Sequence, residues 1–173
     1  LKSPSRIESQ SRSAADRVAY ALATGLGAGF VPIAPGTVGS AEGVAIFVAI
    51  LAIHLGQTSL MIVLTILNVI IFVIGVWAST RTCELTGIKD PRLVVIDEVS
   101  GQLITLTPLA FLPMSIVGVV AGFLLFRLFD IFKPYPIRKL ERLHAGLGVM
   151  ADDVLAGIYA AALLCLGHLA RLI

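Results

Sequence analysis

The sequence predicts an all-α, polytopic membrane helix bundle: one domain spanning residues 1–173, with about five membrane segments and a cytoplasmic N-terminus. Three observations carry this. Apolar residues fill 57% of the 173 positions, without counting 16 Gly, and only 14% are charged. A soluble domain holds about 45–50% apolar residues with Gly included, and about 25% charged. The apolar residues gather into five long runs, and the charges fall almost wholly on one side of them. Such hydropathy excludes intrinsic disorder of the whole chain. A net charge of +2 is too small to argue for nucleic acid as a partner.

A bilayer-spanning helix needs about 20 mostly apolar residues, with a range of roughly 17–25. Residues 1–17 are polar, carry Lys2, Arg6, Arg12 and Arg17, and are expected to lie outside the bundle as a segment open to disorder. The first two apolar segments, 38–55 and 59–78, are separated only by Gly56-Gln57-Thr58 and form a tight helical hairpin. The third, 93–112, has Asp97 and Glu98 near its start and is interrupted at Thr107-Pro108. It is expected to be kinked or re-entrant, which is tolerated only where protein or water covers the freed backbone groups. The fourth, 114–129, follows at Leu112-Pro113, a second tight turn, and the fifth is 154–169.

With the N-terminus cytoplasmic, all 13 Lys and Arg residues except Arg171 lie on the cytoplasmic side, as do all 11 carboxylates. The positive-inside rule therefore predicts N-in, C-out, whether or not the third and fourth segments fully cross. The outer face is reduced to short turns and a tail, so work is expected at the cytoplasmic face. Cys83 and Cys165 make no CxxC, fall on opposite sides and are expected to be free thiols. Gly39/Gly43 and Gly118/Gly122 are small-xxx-small pairs, read first as contacts inside one bundle and second as a homodimer interface.

Three acidic clusters lie where apolar segments meet the cytoplasm: Asp97-Glu98, Asp130 and Asp152-Asp153. Each has a bland reading. The Asp152-Asp153 pair would cap the fifth segment, and Asp130 would pair with Arg127 one turn back. Asp97-Glu98 resists this, because Val94-Val95-Ile96 precede it and an apolar run follows. Carboxylates at membrane depth are costly and default to a functional hypothesis. Gathered at one depth they repel unless a cation compensates. Arg127 and Lys133 are available, but a hard divalent ion is the more economical account. Mg²⁺ is usually held by one or two carboxylates together with substrate phosphates, and no His/Cys set suits zinc.

Phosphate-binding elements stand beside the acids. Lys133, followed by Pro134-Tyr135-Pro136, sits at an abrupt helix end, either as a phosphate contact or as a snorkelling lysine. The stretch Thr24-Gly25-Leu26-Gly27-Ala28-Gly29, continuing to Pro35-Gly36-Thr37-Val38-Gly39-Ser40, suits a backbone cradle for phosphate at a helix N-terminus. Thr37 or Ser40 acting as an ordinary N-cap is the competing reading. Cys83 lacks the arginine of a cysteine-phosphatase loop, and His54 and His168 lie toward the outer face, away from the acids. Of the histidines only His144 is cytoplasmic, and it is read as a loop residue. A cation transporter would need polar groups continuing to the outer face, where only His54, Gln57 and His168 are found.

At these residues the chain resembles the phosphatidylglycerophosphatase A family of bacterial membrane lipid phosphatases. The match covers roughly residues 18–165 through four blocks in order: Ala23-Thr24-Gly25-Leu26-Gly27 with Pro35 to Ser40; Val95-Ile96-Asp97-Glu98-Val99 with Gly101-Gln102; Phe126 to Asp130 with Lys133-Pro134-Tyr135-Pro136; and Gly146 to Val154 with Ala156-Gly157. The resemblance implies hydrolysis of phosphatidylglycerophosphate to phosphatidylglycerol, with Mg²⁺, at the cytoplasmic face of the bacterial inner membrane. Its acidic motifs map onto Asp97, Glu98, Asp130, Asp152 and Asp153 as metal ligands. Asp97, Glu98, Asp130 and Asp153 are then the catalytic candidates, one of them a base toward water or a nucleophile. Lys133, Arg127, Thr37, Gly39 and Ser40 are the candidates for holding substrate. Glu42 and Ala151 stand where apolar and larger residues are more usual in the family, and Glu42 is a candidate to join or tune the acidic site. Another anionic phospholipid is the alternative substrate.

Overall fold

The computed structural model describes residues 13–172, and all the regular structure among them is helical. Ser13 opens α1 (Ala14–Ala23) with a capping box: its hydroxyl accepts from the Asp16 N–H, and the Asp16 carboxylate accepts from the Ser13 N–H. A 3-10 turn, Gly25–Phe30, follows, with Gly27 at φ 116°, where a side chain would strain the backbone. Pro35 then starts α2 (Pro35–Leu51) at the position where its missing N–H costs nothing. The long α3 (Gln57–Thr86) stops at Gly87, whose φ of 69° is the left-handed geometry of a helix C-cap. Next come α4 (Ile96–Leu106), a 3-10 turn Thr107–Ala110, and α5 (Ile116–Phe132), capped by the Ser115 hydroxyl. Lys133, left-handed at φ 43° ahead of Pro134, ends α5. The four-residue α6 (Ile137–Leu140) leads to α7 (Ala145–Leu169).

The five apolar runs correspond to α2, α3, α4 with its 3-10 extension, α5 and α7, but several ends differ. Ala145, not the 154 region, starts α7, because Gly146 packs onto α3 and its N–H donates to Thr80 Oγ1 at 3.0 Å. Asp152 and Asp153 therefore lie two turns inside the helix and are not its caps. Likewise α2 begins at Pro35 with Ala34 as N-cap, so neither Thr37 nor Ser40 caps it. The polar N-terminal segment falls partly on residues 1–12, outside the described residues; its remainder opens α1.

Only α3 and α7, among the described residues, are long and apolar enough to cross a bilayer. At 17 residues α2 and α5 each reach about 25 Å, and α4, at 11 residues, about 16 Å, short of the roughly 30 Å hydrocarbon core. The interrupted third segment is thus a short helix surrounded by protein: nine of its 11 residues are buried. It packs mainly between α2 and α7, with α3 and α5 beside it. Leu103, Leu106, Phe47, Leu64 and Leu164 form the main core cluster around it.

Glycines permit this central packing. A Cβ on Gly39 would meet Val95, one on Gly43 would meet Gln102 and the Val99 carbonyl, and one on Gly157 would strike the Gly101 carbonyl. Gly118 and Gly122 face Leu109, Leu106 and Leu164. Both small-xxx-small pairs are therefore filled within the chain. The opposite relation holds outside: in the most apolar stretch of α3 only 17% of residues are buried, and Val63, Ile66, Val69, Ile70 and Val73 are exposed. An apolar face of that extent belongs against a partner or a lipid phase.

Candidate active site

Asp97 and Glu98 occupy the first turn of α4, where the positive end of the helix dipole favours negative charge. The helix start thus supplies the local support that the preceding apolar residues conceal in the sequence. A backbone hydrogen bond from the Val95 N–H to the Ala23 carbonyl, 2.9 Å, fixes that start against the end of α1. Asp153 reaches the same place from α7, across the contact that Gly101 and Gly157 allow. One carboxylate oxygen from each of Asp97, Glu98 and Asp153 lies within 4.8 Å of the others.

Two acid–cation pairs flank this trio. Arg127 holds Asp130 at 2.6 Å, one turn apart on α5, and Asp130 is near enough for its charge to act on both Glu98 and Asp153. The same Arg127 nitrogen donates to the Ser40 hydroxyl at 3.3 Å, while Ser40 itself donates to the Gly36 carbonyl at 2.9 Å. A Cβ on Gly36 would strike Glu98 and crowd Arg127, so the missing side chain lets both approach α2. Lys133 lies 2.5 Å from Asp152 and 2.8 Å from Glu141. Burial disfavours its ammonium form, but the hydrogen bonds to Asp152 and Glu141 outweigh that and hold its pKa above the ordinary lysine value. A cleft of about 240 Å³ opens beside this pair, lined by Lys89, Asp90, Glu141, Gly148 and Asp152.

Several of these groups lack a partner. Asp97 Oδ1, Glu98 Oε2, Asp152 Oδ1, Asp153 Oδ2 and Arg127 Nε are buried and make no hydrogen bond. An unpaired buried acceptor is costly, and a cation or a shared proton would relieve several unpaired carboxylate oxygens side by side. Oxygens on opposite sides of a Mg²⁺ stand about 4.2 Å apart, twice the usual 2.1 Å. The spread of the trio, up to 4.8 Å, is close to that and its donor set is all oxygen, so Asp97, Glu98 and Asp153 would hold such an ion, with Asp130 and Asp152 adjoining.

Other candidates sit as follows. Gly39 packs beside Glu98, while Thr37 is exposed on α2. In the glycine-rich turn the Gly27 and Gly29 N–H groups both donate to the Thr24 carbonyl, so these two are not open to an anion. Glu42 packs against Gly25 rather than within the trio. His144 is the N-cap residue of α7, and both cysteines are free. Sequence reading missed Glu141 as a partner of Lys133, and Ser40 as a partner of Arg127. It also missed the Asp16–Arg81 pair, 2.6 Å, that ties α1 to α3; for α1, the Ser13-x-x-Asp16 capping pattern was the available signal.

Comparison with known proteins places this chain in a family. No solved structure matches the chain. A Bacteroides thetaiotaomicron protein named "Putative phosphatidylinositol-3-phosphatase" is 40% identical over 139 residues, 80% of this chain and 86% of that protein. Phosphatidylglycerophosphatase A of Escherichia coli is 36% identical over 151 residues, 86% of this chain and 83% of that enzyme. The enzyme of that name from Haemophilus influenzae is 39% identical over 142 residues, 82% of this chain and 83% of its own. The family model described as Phosphatidylglycerophosphatase A matches residues 21–168, a stretch holding all five acids and both cations of the site, and the chain belongs to that phosphatase family.

Proposed function

We propose that this chain is a Mg²⁺-dependent lipid phosphomonoesterase that hydrolyses phosphatidylglycerophosphate to phosphatidylglycerol and phosphate. The observation that carries the proposal is the Asp97–Glu98–Asp153 trio, two of its residues buried and Glu98 half-buried, with unpartnered oxygens, set beside Arg127 and Lys133 in a chain of this family. The protein works as a single domain in the bacterial inner membrane, N-terminus inside, with five membrane segments, α3 and α7 the long ones and α4 the shortest. Its active site faces the cytoplasm. The charge distribution along the sequence and the apolar exposure of α3 support that placement.

Mg²⁺ bound by Asp97, Glu98 and Asp153 would offset phosphate charge and lower the pKa of a water. Arg127 and Lys133 then hold phosphate oxygens: each is already pointed by a carboxylate, and Arg127 Nε has a donor to give. Preset donors of this kind stabilise charge that develops in the transition state. One carboxylate of the cluster takes the proton of the attacking water. The phosphorus–oxygen bond to glycerol breaks, and the glycerol oxygen leaves with that proton, returned to it by the carboxylate. A carboxylate attacking phosphorus directly, followed by water, is the other route these residues allow.

The Bacteroides relative's name favours a second reading, in which the substrate is another phosphorylated anionic lipid. Phosphate release from phosphatidylglycerophosphate in detergent micelles, with Mg²⁺ or EDTA, tests the first. Release that needs Mg²⁺ and disappears in folded Asp97→Ala is expected. No release by folded wild type, with release from a phosphoinositide, would overturn it in favour of the second reading.

A further inference from the structure

We propose that the seam between α5 and α7 binds an acyl chain of the phospholipid substrate, with its end in a groove toward the outer half of the bundle. This rests on the reading of the chain as a lipid phosphatase. On α5, Ala121, Leu125, Leu128 and Phe132 recur at helical spacing along one side, and Lys133 follows at the cytoplasmic end. On α7 the matching stripe is Asp152, Tyr159, Leu163 and Leu166. The Lys133–Asp152 pair closes the head of the seam at 2.5 Å, and Phe129 meets Tyr159 edge-on partway along it, ring centres 5.7 Å apart. Beyond that step an open groove of about 520 Å³ lies on the outer surface along the α5–α7 contact, lined by Ala121, Leu124, Leu125, Leu163, Leu166 and Gly167.

Position singles out the occupant. The phosphate-binding candidate Lys133 stands at one end, and the groove at the other is apolar throughout. Leu163 and Leu166 lie 11 and 14 residues beyond Asp152, about 16 and 21 Å along the helix. One leaflet of a bilayer is about 15 Å of hydrocarbon, half the roughly 30 Å core. A lipid whose headgroup is held at Lys133 therefore delivers its chain end at the depth where the groove opens. Leu128 and Phe132, both exposed, line the path between.

Gly167→Leu and Leu124→Trp fill the groove; Ile70→Trp, on the exposed side of α3, is the control. Phosphate release is measured from dioleoyl- and dihexanoyl-phosphatidylglycerophosphate in mixed micelles. The KM of both groove variants for the dioleoyl lipid is expected to rise about tenfold, equivalent to about 1.4 kcal/mol. Their kcat/KM for the dihexanoyl lipid, which is too short to reach the groove, stays at the wild-type value, as do both substrates in the control. Unchanged KM for the dioleoyl lipid, or equal loss on both substrates, overturns the proposal. A second measurement needs no turnover: phosphatidylglycerol with a diazirine near the chain end is photolysed with wild type and the adduct mapped. Labelling concentrated on 121–125 and 163–167 supports the groove, and equal labelling of 66–73 on α3 overturns it. Wild type inactive on both substrates defeats the phosphatase reading instead, while the labelling still decides the groove.

Discussion

Lys133 stands 2.5 Å from Asp152, across the gap between the end of α5 and the third turn of α7. The pair joins two of the acidic motifs and places a cation beside a carboxylate with a free oxygen. Because Lys133 also reaches Glu141, the connection between the two helices is held on both sides of the ammonium.

Replacing Lys133 tests whether that cation serves catalysis or only the fold. Lys133→Met is expected to lower kcat/KM for phosphate release by about 100-fold, the cost of removing one preset donor to a developing oxyanion. Lys133→Arg keeps the charge and recovers part of the activity. A full recovery of activity in folded Lys133→Met would assign the lysine to structure alone.

The acidic trio predicts opposite effects on activity and on metal-free stability. Asp153→Asn and Glu98→Gln take an ionisable carboxyl out of a crowded acidic cluster, so the metal-free variants are expected to melt at or above the wild-type temperature in detergent. Their activity falls below detection. Mg²⁺ at 100 times its dissociation constant should stabilise wild type by about 2.7 kcal/mol, a thermal shift that both variants lose. A Mg²⁺ shift of wild-type size in either variant would remove that residue from the metal site.

Glycine substitutions should separate packing from chemistry. Gly157→Ala drives a methyl into the Gly101 backbone, which cannot yield, and is expected to cost about 1–3 kcal/mol. Gly75→Ala meets Met150 Sδ and Cε at 2.6 Å, the end of a flexible side chain, and should cost less. Gly56→Ala, at φ −63° with nothing within 4 Å, is expected to be close to neutral, the unfolded-state gain offset by the poorer N-cap. Thermal melting of the three variants gives the order directly.

The Asp16–Arg81 pair carries a pH signature. A hydrogen bond from Arg81 holds the Asp16 carboxyl below its usual range, against a smaller opposing effect of burial. Its contribution is therefore complete above the unfolded carboxyl pKa of about 3.9 and fades as pH falls toward the lower native value. Asp16→Asn should lower the melting temperature at pH 7 and approach the wild-type value near pH 3. An undiminished difference at pH 3 would assign the loss to something other than this charge pair.

The helical class and the apolar segments were legible in the residues, because composition and runs of apolarity are local properties. Arg127 with Asp130 was legible for the same reason: the two sit one turn apart on a single helix. Helix ends were less so. Apolarity marks what a helix packs against, whereas Gly146 meeting α3 starts α7 ahead of the Asp152-Asp153 pair that interrupts the apolar run. Which acids meet, and which cation serves which acid, was settled only in three dimensions. Asp97 and Glu98 join Asp153 because Gly101 and Gly157 let α4 and α7 approach closely, and Lys133 turns to Asp152 because the break at Pro134 aims it across at α7. Contacts between residues so distant along the chain depend on how whole helices pack, and the sequence holds them only through small residues whose partners lie elsewhere.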